Sequence, residues 1–294
     1  MTAPVSKHGN RTKCPPFLIR MPVVIPRVTF RLIRILAMTA CYYGWLLGVD
    51  ILSRTFCGHL EESRRPIALA WLRQLQKSIG HRITLYGPVP NGRFFLVTNH
   101  VTWQDLFLQN ALPQAHPVAM DPMRDMPFLG RFFRALDCIF VSRHSDEVPN
   151  VIAEIRHRLK RGESVMLAPE GVVSPGRSIQ RFHAALLEAP IQEGLPVHYC
   201  ALHYHTPYGW PPPSRSVLFG PDPYYRTPDG KIPQSQLDMW GPPRWFLPYF
   251  LRLLSLPYHR LDITFGEAPL AGTDRVELAN ALHDAVSRVF HPTE

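Results

Sequence analysis

The stretch Phe94-Phe95-Leu96-Val97-Thr98-Asn99-His100-Val101-Thr102-Trp103-Gln104-Asp105-Leu106 decides how the rest of the chain is read. Its opening apolar and β-prone run predicts a buried strand. Thr98-Asn99 is suited to capping a new helix, with Trp103 to Leu112 as the helix body. His100 then falls at a strand-to-helix turn, where a side chain is displayed at the mouth of a sheet and backbone N–H groups point outward. Asp105, one turn into the helix, is placed to accept from one imidazole nitrogen, which leaves the other as a base.

Apolar runs alternate with helical patterns on both sides of this turn. Strand candidates are Phe94–Thr98, Pro117–Met120, Cys138–Ser142, Ser164–Ala168, Val197–Leu202, Ser216–Phe219 and Leu261–Phe265. The clearest helix runs from Val148 to Arg161, with Ile152, Ile155 and Leu159 on one face and Lys160-Arg161-Gly162 closing it. A last helix starts at the cap Thr273 and keeps Val276, Ala279, Leu282, Val286 and Val289 on one face. The pattern predicts an α/β domain over 81–294 with a mostly buried sheet flanked by helices. Residues 207–248, dense in proline and aromatic rings, predict a packed loop insertion that touches lipid or covers the site.

The formal charge is +9, and Lys7, Arg11, Lys13, Arg20, Arg27, Arg31 and Arg34 all precede the first acidic residue, Asp50. Residues 1–34 read as a mobile basic arm. Ile35 to Leu52 is apolar and close to the ~18-residue lower limit for a bilayer span. Tyr42, Tyr43 and Trp45 are rings that favour the membrane interface. After the polar connection Ser53 to Arg65, a second helix begins at Pro66 and ends by Gly80. Residues 35–80 are thus expected to be a membrane-attached helical pair. A true span would hold Arg27, Arg31 and Arg34 in the cytoplasm and send the domain outside, so monotopic attachment at the cytoplasmic face is expected. The basic segment suits an anionic membrane surface, and no nucleic-acid-binding signature accompanies it. The five scattered cysteines, odd in number and without a CxxC pair, point to reduced thiols in a cytosolic setting.

Four blocks carry a family resemblance. Asn99-His100-Val101-Thr102-Trp103-Gln104-Asp105 resembles the NHx4D block of the glycerolipid acyltransferases, which include lysophosphatidic acid acyltransferase. Gly130-Arg131-Phe132-Phe133 with Cys138 to Arg143 resembles the second block. Ala168-Pro169-Glu170-Gly171-Val172-Val173-Ser174, trailed by Arg181-Phe182-His183-Ala184-Ala185, resembles the third, and Gly194-Leu195-Pro196-Val197 the fourth. They come in family order over roughly residues 82 to 220.

The resemblance implies a glycerolipid acyltransferase-type α/β fold and transfer of an acyl group from acyl-CoA or acyl-carrier protein to a lysolipid hydroxyl, with no cofactor or metal. His100 is the expected base and Asp105 its orienter, a division of labour also seen in Ser-His-Asp triads. A thioester is already activated, so no enzyme nucleophile is demanded. Oxyanion donors are expected from the Pro169-Glu170-Gly171 turn or the helix start at His100. By resemblance Arg143, Glu170 and Gly171 shape the acceptor site. Two departures stand out. Many lysophosphatidic acid acyltransferases have Thr-Arg after the Glu-Gly, where this chain has Val172-Val173, and Asp137 replaces a glycine before Cys138. Arg177 or Arg181 then substitutes for the missing phosphate-binding arginine, or the acceptor is a lysophospholipid or lyso-aminolipid rather than a phosphomonoester. A lipid-binding scaffold and a hydrolase using His100-Asp105 on water are the readings from other classes. His203 and His205, alternating on one strand, read as surface or cleft polar groups rather than metal ligands.

Overall fold

The computed structural model describes residues 17–56, 62–142, 145–174, 176–218 and 246–292. The strands β1 (His81–Tyr86), β2 (Phe95–Thr98), β3 (Ala115–Met120), β4 (Ile139–Val141), β5 (Ser164–Leu167), β6 (Val197–His205) and β7 (His259–Phe265) form one sheet. Its order is β1-β7-β6-β2-β5-β3-β4. From β6 to β4 the strands run parallel; β7 is antiparallel to β6, and β1 is parallel to β7. β2 and β5, at the middle, are buried at every residue. Leu96 faces one hydrophobic cluster while Phe95 and Val97 face another, so the sheet is covered on both sides.

One side is covered by α1 (Phe17–Phe56), α2 (Arg64–Ser78), α3 (Leu108–Ala111), α4 (Leu129–Ala135) and, after the short α7 (Pro213–Ser216), α8 (Phe246–Ser255). The other side is covered by α5 (Val148–Lys160), α6 (Glu188–Gln192) and α9 (Arg275–Val289). α5 buries Val151, Ile155 and Leu159, a four-residue spacing that leaves Ile152 at the margin. α9 starts one residue later than the cap at Thr273 predicts. Asp274 accepts from the N–H groups of Val276 and Glu277, and this rotation leaves Val276 exposed.

Several expectations are corrected. Residues 17–34 are helical rather than an arm, because α1 runs unbroken through Pro22 and Pro26. Both prolines lie inside the helix, past its first turn, where each removes one i→i−4 hydrogen bond, so propensity alone would not have predicted an unbroken helix. Tertiary contacts then hold that end down. Arg31 donates to the carbonyls of Leu254 (2.9 Å), Leu256 (2.6 Å) and Pro257 (2.8 Å), and Arg27 to Ser255 (2.8 Å). These arginines therefore cap the end of α8 rather than facing lipid. α2 is not a second membrane helix: Ile67, Leu69, Trp71, Leu72 and Leu75 are buried, and Trp71 stacks on Phe132 at 4.0 Å. Residues 216–218 do not form a strand; Ser216 ends α7, and Phe219 lies outside the described residues. β1 went unforeseen, and so did the short 3₁₀ turn Trp103–Phe107 that precedes α3. Residues 219–245 of the insertion also lie outside the described residues.

The junction between α2 and β1 shows how tightly α1 is docked. Gly80 has φ +74, and a Cβ there would collide with the Arg31 guanidinium. Arg31→Met is expected to cost about 2–3 kcal/mol by stranding the carbonyls of α8. Chemical unfolding in detergent would read this, and an unchanged midpoint would refute the capping role.

Candidate active site

The register of β2 against β5 builds the site. Phe95, Leu96 and Val97 pair with Val165, Met166 and Leu167. Three residues beyond Val97 and Leu167 come His100 and Glu170, which therefore emerge at the same level. The His100 N–H donates to Glu170 Oε1 at 2.8 Å, and the His100 carbonyl accepts from Ser174 N–H at 2.8 Å. Both backbone groups of the histidine are thus gripped by the loop after β5. This is the carboxyl edge of the parallel strands, where connections from β2 and β5 leave in opposite directions, the position at which open α/β sheets bind ligands.

Asn99 does not cap the following turn. Its amide donates to the Leu202 carbonyl (3.1 Å) and accepts from Leu202 N–H (2.7 Å), extending the β2–β6 ladder while the backbone turns away. Thr102 is the cap residue, and the Asp105 carboxylate reaches back to it in half of a capping box.

Asp105 Oδ2 accepts from His100 Nδ1 (2.7 Å), Val101 N–H (2.8 Å) and Thr102 N–H (3.1 Å). Its Oδ1 accepts from the Tyr204 hydroxyl at 2.8 Å. An ionised carboxylate only accepts, so Nδ1 carries the proton and Nε2 carries the lone pair. The His100 side chain is 28% exposed, against 9% for Asp105, so the base reaches the surface at the strand ends and its orienter does not. The arrangement can remove a proton from a bound hydroxyl.

The backbone donors at the helix start are already engaged: His100 N–H by Glu170, and those of Val101 and Thr102 by Asp105. Gly171 N–H is taken by the Ala168 carbonyl at 3.2 Å. These groups are therefore not the oxyanion donors expected from the sequence.

Glu170 is buried rather than lining the acceptor site. Its second oxygen accepts from Gln180 N–H at 3.0 Å, so the carboxyl ties His100 to the loop that runs on to Arg181. Burial pushes it up to about 8, against the opposing pull of the two backbone N–H donors. Gly171 has φ +65 and is exposed, and a Cβ there would touch the His183 ring at 3.4 Å. The His183 N–H donates to the Pro169 carbonyl at 2.8 Å. Arg177 and Arg181 are exposed and flank this tied segment, on the loop that also carries Val172 and Val173. Arg143 lies outside the described residues. The unforeseen functional candidate is Tyr204. Period-two alternation on β6 already sets it with Cys200 and Leu202, opposite His203 and His205.

His203 Nδ1 lies 2.5 Å from the His291 carbonyl, and His205 pairs with Asp262 at 2.9 Å. A three-donor cluster of a kind that could ligate a metal, His116-Asp137-Glu163, occurs among the described residues. Arg158 pairs with both carboxylates, and Arg65 donates to the adjoining Pro113 and Ala115 carbonyls. Two guanidinium charges crowd the space a cation would need, and the cluster instead ties α2, β3 and α5 together.

A proton-abstracting imidazole–carboxylate pair at the carboxyl edge of a mostly parallel sheet defines a group-transfer site acting on a hydroxyl. A family model described as Acyltransferase matches residues 81–202, which span both halves of that site. The lyso-ornithine lipid O-acyltransferase of Pseudomonas aeruginosa is 25% identical, over 88% of this chain and 92% of its own length. The corresponding enzyme of Brucella abortus is 27% identical over 73% and 78%. The 1-acyl-sn-glycerol-3-phosphate acyltransferase of Neisseria meningitidis is 27% identical over 56% and 66%. The crystal structure of the 1-acyl-sn-glycerophosphate acyltransferase PlsC from Thermotoga maritima has the same fold, with a TM-score of 0.52 at 17% identity over 88% of this chain and 95% of that one. The family model and these relatives support the glycerolipid acyltransferase resemblance carried by the four sequence blocks.

Proposed function

We propose that this acyltransferase moves a fatty acyl group from acyl-CoA or acyl-carrier protein to the hydroxyl of a lysolipid that is not a phosphomonoester, a lyso-aminolipid of the lyso-ornithine type. The observation that carries the transfer chemistry is His100 held through Nδ1 by Asp105 at 2.7 Å and through its backbone by Glu170. Nε2 takes the acceptor hydroxyl proton as the oxygen attacks the thioester carbonyl carbon. The C–S bond breaks, and the proton passes from Nε2 to the departing thiolate, so His100 is restored each turnover. The non-phosphomonoester acceptor is supported by Val172-Val173 and by relatives named as lyso-ornithine lipid acyltransferases across most of the chain.

Membrane attachment is monotopic in this reading, on the cytoplasmic face where thioester donors are found. α1 is docked from Arg27 to Asp50: Arg27 and Arg31 on α8, Trp71 Nε1 on Thr39 at 3.2 Å, Tyr43 on Phe128, and Asp50 on Arg64 and Arg131. Its opposite face exposes Phe30, Ile33, Leu36, Trp45, Ile51 and Leu52. At about 100° per residue these span half the helix circumference, with Arg34 and Arg27 at one margin, bonded to Gln74 and the Ser255 carbonyl. A helix fastened sideways, with its charges turned to the protein, suits the plane of a bilayer surface.

The test is acyl transfer from labelled acyl-CoA and acyl-carrier protein to lysophosphatidic acid, lysophosphatidylcholine, lysophosphatidylethanolamine and a lyso-ornithine lipid, side by side. His100→Ala is expected to reduce product by about 10³-fold or more with folding retained. A folded, active His100→Ala protein would sink the mechanism. Product on lysophosphatidic acid alone would sink the acceptor assignment.

A further inference from the structure

We infer that Tyr204 is a positioning residue for the transfer reaction, the third member of a His100–Asp105–Tyr204 relay; this rests on His100 being the base. The Asp105 carboxylate has two oxygens with different tasks. Oδ2 faces His100 and the backbone of the 3₁₀ turn, while Oδ1 points into the core and has the Tyr204 hydroxyl as its partner at 2.8 Å. Tyr204 is fully buried and Asp105 nearly so, and the bond joins β6 to the turn after β2. Without that donor, Oδ1 is a buried anionic oxygen with no partner, a state that rotation about χ2 would relieve. Such a rotation would carry Oδ2 off the line to Nδ1. The hydroxyl therefore fixes the plane of the carboxylate, and through it the imidazole.

Burial and the neighbouring Asp105 charge push the Tyr204 phenol far above its ordinary range, so it stays protonated and can only donate to the carboxylate. The hydroxyl of Tyr249, on α8, shows the contrast. It accepts from Trp103 Nε1 (3.2 Å) and Gln104 Nε2 (3.3 Å) and donates to the Val217 carbonyl (2.6 Å). It braces Trp103 and Gln104, the residues beside Asp105. The two tyrosines thus separate holding the carboxylate from holding the turn.

The experiment uses the full chain in detergent or nanodiscs and compares Tyr204→Phe with Tyr249→Phe. Tyr204→Phe is expected to lower kcat about 10-fold or more, with KM for donor and acceptor within about two-fold. Tyr249→Phe is expected to lower the melting temperature while keeping kcat within about three-fold. Unchanged kcat in folded Tyr204→Phe overturns the inference, and so does a rise in KM with kcat intact. If the phenylalanine variant melts below the assay temperature, 3-fluorotyrosine at position 204 keeps shape and hydroxyl while strengthening the donor. It is expected to lower kcat about two-fold by drawing charge out of Asp105, and no change in kcat counts against the relay. His100→Ala assayed on the same preparation separates the two levels: if it remains active the base reading itself fails, whatever Tyr204 does.

Discussion

Replacing Asp105 by asparagine lowers the turnover of acyl transfer by about 10³–10⁴-fold, the scale seen when the orienting aspartate of a Ser-His-Asp triad is made neutral. The side chain keeps its volume, and one oxygen can still receive the backbone N–H groups of Val101 and Thr102, so the turn survives. What disappears is the negative charge facing Nδ1 at 2.7 Å. The imidazolium formed as the acceptor loses its proton then has no counter-charge at its buried Nδ1 side. An amide NH₂ turned toward His100 is worse still, because it demands the opposite tautomer and puts the proton on the nitrogen that must accept. Steady-state kinetics check this with a thermal melt beside them. A folded Asp105→Asn protein with more than about a tenth of native turnover would mean that the carboxylate merely caps the turn.

The features that could be read from the sequence share one physical property: a short-range pattern that only one environment satisfies. β2 reads as a strand because Phe95, Leu96 and Val97 are buried on both faces. The His100–Asp105 pair follows from a turn of fixed geometry, and the meeting of His100 with Glu170 follows from parallel register between two apolar strands. α2 could not be placed so easily. An apolar helix looks the same to composition whether lipid or protein covers it, and here Phe132 and the sheet cover Trp71. The basic segment suits an anionic membrane surface when read alone, because the partners of Arg27 and Arg31, the carbonyls of residues 254–257, lie more than 220 positions away. The roles of Glu170 and Tyr204 were hidden for the same reason. Each is set by one long-range hydrogen bond that no local periodicity encodes. β1 has neither a continuous apolar run nor clean alternation, and it is a strand because it pairs with β7.

That β1–β7 pairing predicts a large acid sensitivity. His81 and His259 face each other in register with ring centroids 4.7 Å apart, and Phe107 lies 5.0 Å from His81. Both histidines are buried; among the described residues neither ring nitrogen of His81 has a partner, and His259 has one only for Nε2, on Gln104 at 2.6 Å. Burial lowers His81 from 6.5 to about 3 and holds His259 well below its ordinary range. Because the folded value lies below the unfolded one, the unfolded chain binds more protons between those limits. Stability is then full above pH 6.5 and is lost as pH falls toward 3, by up to about 5 kcal/mol for His81 alone. Glu170 works in the opposite sense: its folded value of about 8 lies above the ordinary one, so it favours folding at low pH and loses that contribution as pH rises through 8. The two slopes overlap, and a single profile of the native protein cannot separate them. The difference between native protein and His81→Leu can, since Glu170 is common to both. Leucine fills an apolar pocket without orphaned nitrogens, so the variant is expected to match the native protein near pH 7 and to melt higher near pH 5. Melting curves at half-unit intervals from pH 7.5 to 4.5 decide it. Parallel profiles for the two proteins would show that acid lability arises elsewhere than in the histidine pair between β1 and β7.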